Sequence, residues 1–175
     1  VDQADNPTIP QQHRGQAPAA ARCAVVTVSD TRTAETDRGG PLIVQMLEGA
    51  GHLVVRREIV ADSRPEIEAL VAALAVQADA VLVTGGTGIA PRDVTCEALT
   101  ALFDKPMPGY GELFRMLSFQ EIGAAAMLSR AVGGVVGRAV VLSMPGSPAA
   151  VRLAMERLVL PELAHLVWEA RKGVG

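Results

Sequence analysis

Leu82-Val83-Thr84-Gly85-Gly86-Thr87-Gly88-Ile89-Ala90-Pro91-Arg92-Asp93-Val94-Thr95 reads as a buried strand that breaks into a glycine loop, then into an Asp suited to cap a helix. Ala78 to Val83 is apolar except for Asp79, the pattern of a strand covered on both faces. Three glycines within four positions let the backbone turn sharply and approach a ligand closely. Successive N–H groups in such a loop form a concavity suited to phosphate oxygens. A carboxylate beside a phosphate cradle is electrostatically out of place unless a cation joins them, which points to a magnesium-bound nucleotide.

The common phosphate motifs do not fit. A Walker loop needs Gly-Lys-Ser/Thr, and the two lysines, Lys105 and Lys172, precede Pro106 and Gly173. A dinucleotide fingerprint would need a third glycine where Pro91 stands. On the loop alone, a ligand-free strand-to-helix turn and a phosphate cradle are equally good readings.

Working outward, the 175 residues with 49% hydrophobic content fit one domain with a substantial core. Aromatics make up 3%, so Val, Leu, Ala and Ile must build that core. A net charge of −3 and no basic run longer than two residues argue against nucleic acid. Cys23 and Cys96 belong to no paired motif, which suits a reducing cytosol, and His13, His52 and His165 lack zinc-ligand spacing. Residues 1–21 are rich in Pro, Gln, Ala and Asp and are expected to form a disordered tail, leaving one domain over 22–172. No stretch is long enough to cross a membrane, so the expected location is cytoplasmic.

Strand and helix signals alternate along that domain. Ala24–Ser29 is β-rich, and Pro41 and Gly51 bracket a helix. Leu53–Val60 is a strand with charges at Arg56-Arg57-Glu58, which places it near an edge. Ser63-Arg64-Pro65-Glu66 reads as a capping box before a helix that buries Ile67, Leu70, Val71 and Leu74. Asp93 to Leu102 forms the next helix, and Asp104–Pro108 a loop. Gly111–Ile122 forms a further helix burying Leu113, Met116 and Leu117. Ala131–Val136 and Arg138–Met144 read as an antiparallel pair turning near Gly137. Ser147 caps a long helix that starts at Pro148 and is kinked or divided at Pro161. Met144 is assigned to the core, and Trp168 to packing or a subunit contact. The fold class that follows is an α/β three-layer sandwich, with a mostly parallel sheet and an antiparallel edge pair. Ser29-Asp30, Asp62, the glycine loop with Asp93, and Pro145-Gly146-Ser147 then converge on one rim of the sheet.

These segments are similar to a known family. Thr84-Gly85-Gly86-Thr87-Gly88 with Pro91-Arg92-Asp93-Val94-Thr95 resembles the signature of the MogA/MoaB molybdopterin adenylyltransferases, related to the G domains of gephyrin and its plant homologue. Ser29-Asp30-Thr31, Met107-Pro108-Gly109-Tyr110-Gly111-Glu112, Leu128-Ser129-Arg130 and Met144-Pro145-Gly146-Ser147-Pro148 resemble family motifs in family order. The resemblance spans about Ala24 to Arg171. It implies transfer of AMP from Mg-ATP to the terminal phosphate of molybdopterin, releasing pyrophosphate, with the product passing to a molybdate insertase. It also implies a homo-oligomer, trimer or hexamer.

The resemblance assigns Asp62 and Asp93 to catalysis and Mg²⁺. Gly85, Gly86, Thr87 and Gly88 would cradle phosphates, with Ser29 and Asp30 on the same rim. Pro145, Gly146 and Ser147 would lie against adenosine. Ser129 and Arg130 would hold the pterin or its phosphate, Glu112 the pterin ring, and Arg92 a phosphate or Asp93. Each residue also has a plainer role open to it: caps for Ser147 and Asp93, a turn for Ser29 and Asp30, a first-turn helix position for Glu112. Cys96 stands where family members commonly carry proline after Asp-Val-Thr. A non-catalytic paralogue that binds molybdopterin or nucleotide, or a scaffold for cofactor synthesis, fits the same motifs.

Overall fold

Apolar runs without a polar face can only be satisfied by cover on both sides, and three such runs form the centre of the sheet. The computed structural model describes residues 20–172. Strands β1 (Arg22–Val28), β3 (Ala80–Thr84) and β6 (Ala139–Met144) are buried almost throughout. Strand β2 (Leu53–Val60), with its three central charges, lies on one edge. The order is β2-β1-β3-β6-β5-β4, where β4 is Lys105–Pro106 and β5 is Gly133–Val136. Strands β2, β1, β3 and β6 are parallel, with Val25 opposite Leu82 and Leu82 opposite Leu142. Strand β5 runs antiparallel to β6 through a turn at Gly137, and β4 antiparallel to β5. Strand β4 falls in the stretch expected to be a loop. Asp104 and Met107 donate N–H groups to Val135 and Gly133 (2.9 and 2.7 Å). Pro106 has no N–H to extend the ladder and is tolerated only at an edge.

Successive side chains on a strand point to opposite faces, and the two cores follow that alternation. Val25, Leu82 and Leu142 pack under helices α1 (Gly39–Gly49), α4 (Pro108–Ile122), α5 (Pro148–Ala154) and α6 (Leu160–Arg171). Val26, Val83 and Val141 pack under α2 (Arg64–Gln77) and α3 (Thr95–Leu102). Each such side chain contributes about 1.5–3 kcal/mol over leaving it exposed. The result is the three-layer sandwich with a mostly parallel sheet.

Local departures from the sequence reading have identifiable causes. Helix α1 starts at Gly39, two residues before Pro41, because Asp37 Oδ1 accepts the N–H groups of Gly39 and Gly40 (3.0 and 3.1 Å). Ser63 precedes α2, but its side chain makes no capping bond; its backbone carbonyl accepts from Ile67 instead. Helix α4 starts at Pro108 and buries Tyr110, Phe114, Leu117 and Ser118. That stripe is rotated from the expected one, so Leu113 and Met116 are exposed (47 and 52%) while Met144 is fully buried. Gly123–Leu128 continues as a 3₁₀ helix. The long C-terminal helix is divided just before Pro161 by a π-helical turn, Met155–Val159, where the Leu160 N–H bonds Met155 five residues back. That turn absorbs the bond Pro161 cannot donate.

The expected tail over residues 1–21, His13 included, lies outside the described residues except for Ala20 and Ala21. Ala21 is fully buried; its N–H donates to His52 Nδ1 (3.2 Å) and its carbonyl accepts from Leu53 (2.9 Å). No described helix is long and apolar enough to cross a membrane.

Candidate functional site

Parallel strands carry all their C-terminal ends to one rim, and the loops leaving β1, β2, β3 and β6 meet there. Two cavities of about 430 Å³ each open on it, sharing Gly85, Gly146 and Ser147 as a common wall. The first adds Ser29, Arg32, Asp37, Arg38 and Thr84. The second adds Gly86, Thr87, Gly88, Asp93 and Ser129, faced by apolar Phe114 and Ile122. A cavity of about 530 Å³ at the opposite end of the sheet, beside Ala72, Val76 and Arg171, contains none of these residues.

The glycine loop has one side pinned and one side free. Gly85 and Gly86 have φ of +100° and +61°, and a side chain there would strike the Val28 carbonyl and the Thr95 hydroxyl respectively. The Gly85 carbonyl accepts from Thr95 Oγ1 (2.9 Å) and the Gly86 carbonyl from the Thr95 N–H (3.1 Å). The Thr87 carbonyl accepts from the Arg130 N–H (3.0 Å), and the Gly88 carbonyl from Arg130 Nε (2.7 Å). In a trans peptide the N–H points opposite to the C=O. The N–H groups of Gly86, Thr87 and Gly88 are therefore turned away from Thr95 and Arg130. Among the described residues none of the three donates a hydrogen bond within the protein. Successive free amides of this kind are suited to an anion-binding nest.

Two carboxylates flank that nest. Asp62 Oδ1 lies 3.0 Å from where a Cβ on Gly86 would sit, and Asp93 Oδ2 lies 2.7 Å from the same point on Gly88. Asp93 does not cap α3, which Val94 precedes. Its Oδ2 accepts the Ala90 N–H (2.9 Å) while its own N–H donates to the Ala90 carbonyl, a turn that holds the carboxylate beside the loop. Asp62 and Asp30 are locked reciprocally: Asp62 Oδ2 accepts the Asp30 N–H (3.1 Å), and Asp30 Oδ1 accepts the Asp62 N–H (2.9 Å). Burial, then the charges of Asp30 and Asp93, raise the Asp62 carboxyl above its ordinary value, against the opposing pull of the Asp30 N–H and Arg92. Among the described residues no three His, Cys, Asp or Glu are grouped to hold a metal by themselves. Asp62, Asp30 and Asp93 are the neighbouring carboxylates that could share a cation with a ligand.

The other expected residues divide. Ser147 caps α5, accepting the Ala150 N–H (3.3 Å), and Pro145 accepts from Thr84 Oγ1 (3.1 Å). Ser29 Oγ accepts the N–H groups of Thr31 and Arg32 (both 3.2 Å), a turn role, while its residue also lines the first cavity. Glu112 is exposed and lines neither cavity. The Arg130 guanidinium is spent on protein groups: besides Gly88 it bonds the Asp93 carbonyl (2.6 Å) and Glu97. Cys96 Sγ donates to the Arg130 carbonyl (2.9 Å), and burial pushes its thiol up to about 11.

Sequence reasoning missed Thr95 and Asp37. Thr95 is fully buried and holds two loop carbonyls; it stood in the signature stretch Pro91–Thr95, but nothing in its spacing pointed to the carbonyls of Gly85 and Gly86. Asp37 is buried and accepts from Thr27 Oγ1 (2.8 Å), Arg57 Nη2 (3.0 Å), Gly39 and Gly40. Burial alone would raise its pKa, but these bonds outweigh it and hold the carboxyl below its ordinary value. Asp-Arg-Gly-Gly was visible as a polar loop, but the partners Thr27 and Arg57 lie ten and twenty residues away.

Comparison with known proteins adds independent findings. Residues 24–165 match a family model described as a probable molybdopterin binding domain. Molybdenum cofactor biosynthesis protein B of Bacillus subtilis (strain 168) is 54% identical over 165 residues, covering 93% of this chain and 97% of that protein. A crystal structure of a molybdenum cofactor biosynthesis protein B is 53% identical with a TM-score of 0.85, over 90% of this chain and 99% of the other. The tungsten cofactor synthesizing protein MoaB of Pyrococcus furiosus is 39% identical with a TM-score of 0.78, over 89% and 100%.

Proposed function

The chain belongs to the MoaB family of molybdenum cofactor biosynthesis proteins, with their molybdopterin-binding domain, and from that premise we propose that it transfers AMP from Mg-ATP to the terminal phosphate of molybdopterin. A phosphate oxygen of molybdopterin attacks the α-phosphorus of ATP. The new P–O bond forms as the bond from that phosphorus to the bridging oxygen of the β-phosphate breaks. Pyrophosphate leaves with the electron pair, and adenylylated molybdopterin is the product, to be handed to a molybdate-inserting protein. Such a reaction needs positioning and charge neutralisation more than covalent help from protein.

The observation that carries this reading is the nest of three free amides flanked by two carboxylates. The amides of Gly86, Thr87 and Gly88 would hold phosphate oxygens, and the common wall of Gly85, Gly146 and Ser147 would let two substrates meet. Asp62 and Asp93 fit Mg²⁺, which takes one or two carboxylates and completes its shell with phosphates and water. Burial, then the like charges of Asp30 and Asp93, disfavours the Asp62 carboxylate, and a cation there would relieve the like-charge part. Bound there, Mg²⁺ supplies neutralising charge for the triphosphate. The test is ATP- and Mg-dependent formation of adenylylated molybdopterin by the purified chain. No product at saturating molybdopterin refutes the reaction, and tight pterin binding without product identifies a binding paralogue.

A homo-oligomer, trimer or hexamer, is part of the same proposal. Helix α4 buries Tyr110, Phe114 and Leu117 yet also exposes Leu113, Met116 and Phe119. Large apolar side chains exposed together on one element mark an interaction surface. Light scattering that returns the monomer mass of 18.3 kDa would refute the assembly.

A further inference from the structure

We infer that Arg130 is a positioning residue for the phosphate cradle, acting through the loop backbone rather than on a substrate. The inference rests on the cradle reading of the glycine loop. One guanidinium gathers the Gly88 carbonyl, the Asp93 carbonyl and the Glu97 carboxylate, so both ends of the segment from Gly88 to Asp93 are tied to the same group. The backbone of Arg130 adds its N–H to the Thr87 carbonyl and receives Cys96 Sγ on its own carbonyl. Three parts of the chain are thereby joined at one residue: the loop, the first turn of α3, and the segment entering β5.

The functional consequence is directional. The Arg130 backbone N–H on the Thr87 carbonyl turns the Gly88 N–H away from Arg130, a contact that any residue here keeps, whereas the guanidinium on the Gly88 carbonyl fixes the next peptide, Gly88–Ile89, at the end of the cradle. Fixing the Asp93 carbonyl sets where the Asp93 carboxylate stands relative to Gly88. Thr95 holds the carbonyls of Gly85 and Gly86 in the same way. With its donors committed to protein oxygens in three directions, the planar fork cannot be replaced by a single ammonium. Lysine can still meet a phosphate as a point charge, so it separates the two roles.

The experiment compares wild type with Arg130→Lys and Arg130→Ala by amide hydrogen exchange without ligand and by binding of Mg-ATP and of adenosine. A positioning role predicts faster exchange at the hydrogen-bonded amides of Ala90, Asp93 and Thr95 in both variants. It also predicts Mg-ATP affinity and kcat lower by about 10- to 100-fold, the usual effect of losing a supporting contact, with adenosine binding unchanged and no rescue by lysine. Unchanged exchange with affinity restored in Arg130→Lys overturns the proposal in favour of a direct phosphate contact. Equal loss of ATP and adenosine binding overturns it in favour of a general fold defect. If Arg130→Ala fails to fold, Arg130→Lys decides the same question. A wild-type protein that binds no Mg-ATP refutes the nucleotide reading, and the exchange rates still decide whether Arg130 holds the loop.

Discussion

Asp93→Asn separates the chemistry of the site from its architecture. Asparagine keeps an oxygen where Asp93 Oδ2 accepts the Ala90 N–H, and it keeps the backbone groups that bond Ala90 and Arg130. A hydrogen bond to a charged acceptor contributes about 1.5–3 kcal/mol and to a neutral one about 0.5–1.5, so the change costs about 1 kcal/mol. Relief of repulsion on Asp62 offsets part of that. For a chain of this size 1 kcal/mol corresponds to a Tm lower by about 2–4 °C, so the fold survives. Under the proposed function turnover behaves differently, because the lost charge is one of the two assigned to Mg²⁺. Removing one preorganised electrostatic contact typically lowers kcat by about 10²–10³-fold, equivalent to about 3–4 kcal/mol of transition-state stabilisation. The assay is single-turnover formation of adenylylated molybdopterin at saturating substrates, paired with thermal unfolding of the same preparation. A rate within about threefold of wild type would remove Asp93 from the mechanism. A Tm lower by about 10 °C or more would mean that its role is architectural.

Three further outcomes follow from the geometry. Gly86→Ala forces a left-handed residue and a collision with the Thr95 hydroxyl; it should cost about 2 kcal/mol, read as a lower denaturant midpoint, together with weaker Mg-ATP binding. Ser63→Ala should be nearly silent, within about 0.5 kcal/mol, whereas Ser147→Ala should cost about 1 kcal/mol, because only Ser147 makes a capping bond; equal effects in urea titrations would contradict the two cap geometries. Burial lowers the pKa of His52, which as a neutral ring accepts the Ala21 N–H. The unfolded chain therefore takes up the proton first as pH falls, so this contribution is present above about pH 6.5 and is lost as pH falls through the lower folded value. His52→Gln should flatten that part of the stability–pH curve, and an unchanged slope would show that His52 does not cause it.

Much of this architecture was legible because burial on two faces leaves a local signature. Ala80 to Val83 is an apolar run that fits cover on both faces, and the charges at Arg56-Arg57-Glu58 send β2 to the edge; Arg138–Met144, expected in an antiparallel edge pair, instead puts β6 inside the sheet, parallel to β3 and antiparallel to β5. Parallel strands then bring Ser29, Asp62, the glycine loop and Gly146 to one rim with no further information needed. Where several residue types satisfy the same local pattern, the reading failed. Helix α4 carries apolar residues on every side, so periodicity alone could not choose the Phe114 face over the Met116 face. Strand β4 is two residues long, and its neighbour β5 is distant in sequence.

The sequence by itself determined the layer architecture, the rim, the glycine loop and the acidic residues beside it, since each depends on local composition and chain order. Tertiary structure alone decided which polar groups are already engaged. Arg130 looked like an anion ligand, yet its guanidinium is occupied by oxygens of the glycine loop and of Asp93 and Glu97, between 33 and 42 residues away. Asp93 looked like a helix cap and is a carboxylate braced by Ala90, and Thr95 emerged as the residue beneath the loop. A hydrogen bond is satisfied by proximity and direction, neither of which is written in the spacing of residues along the chain.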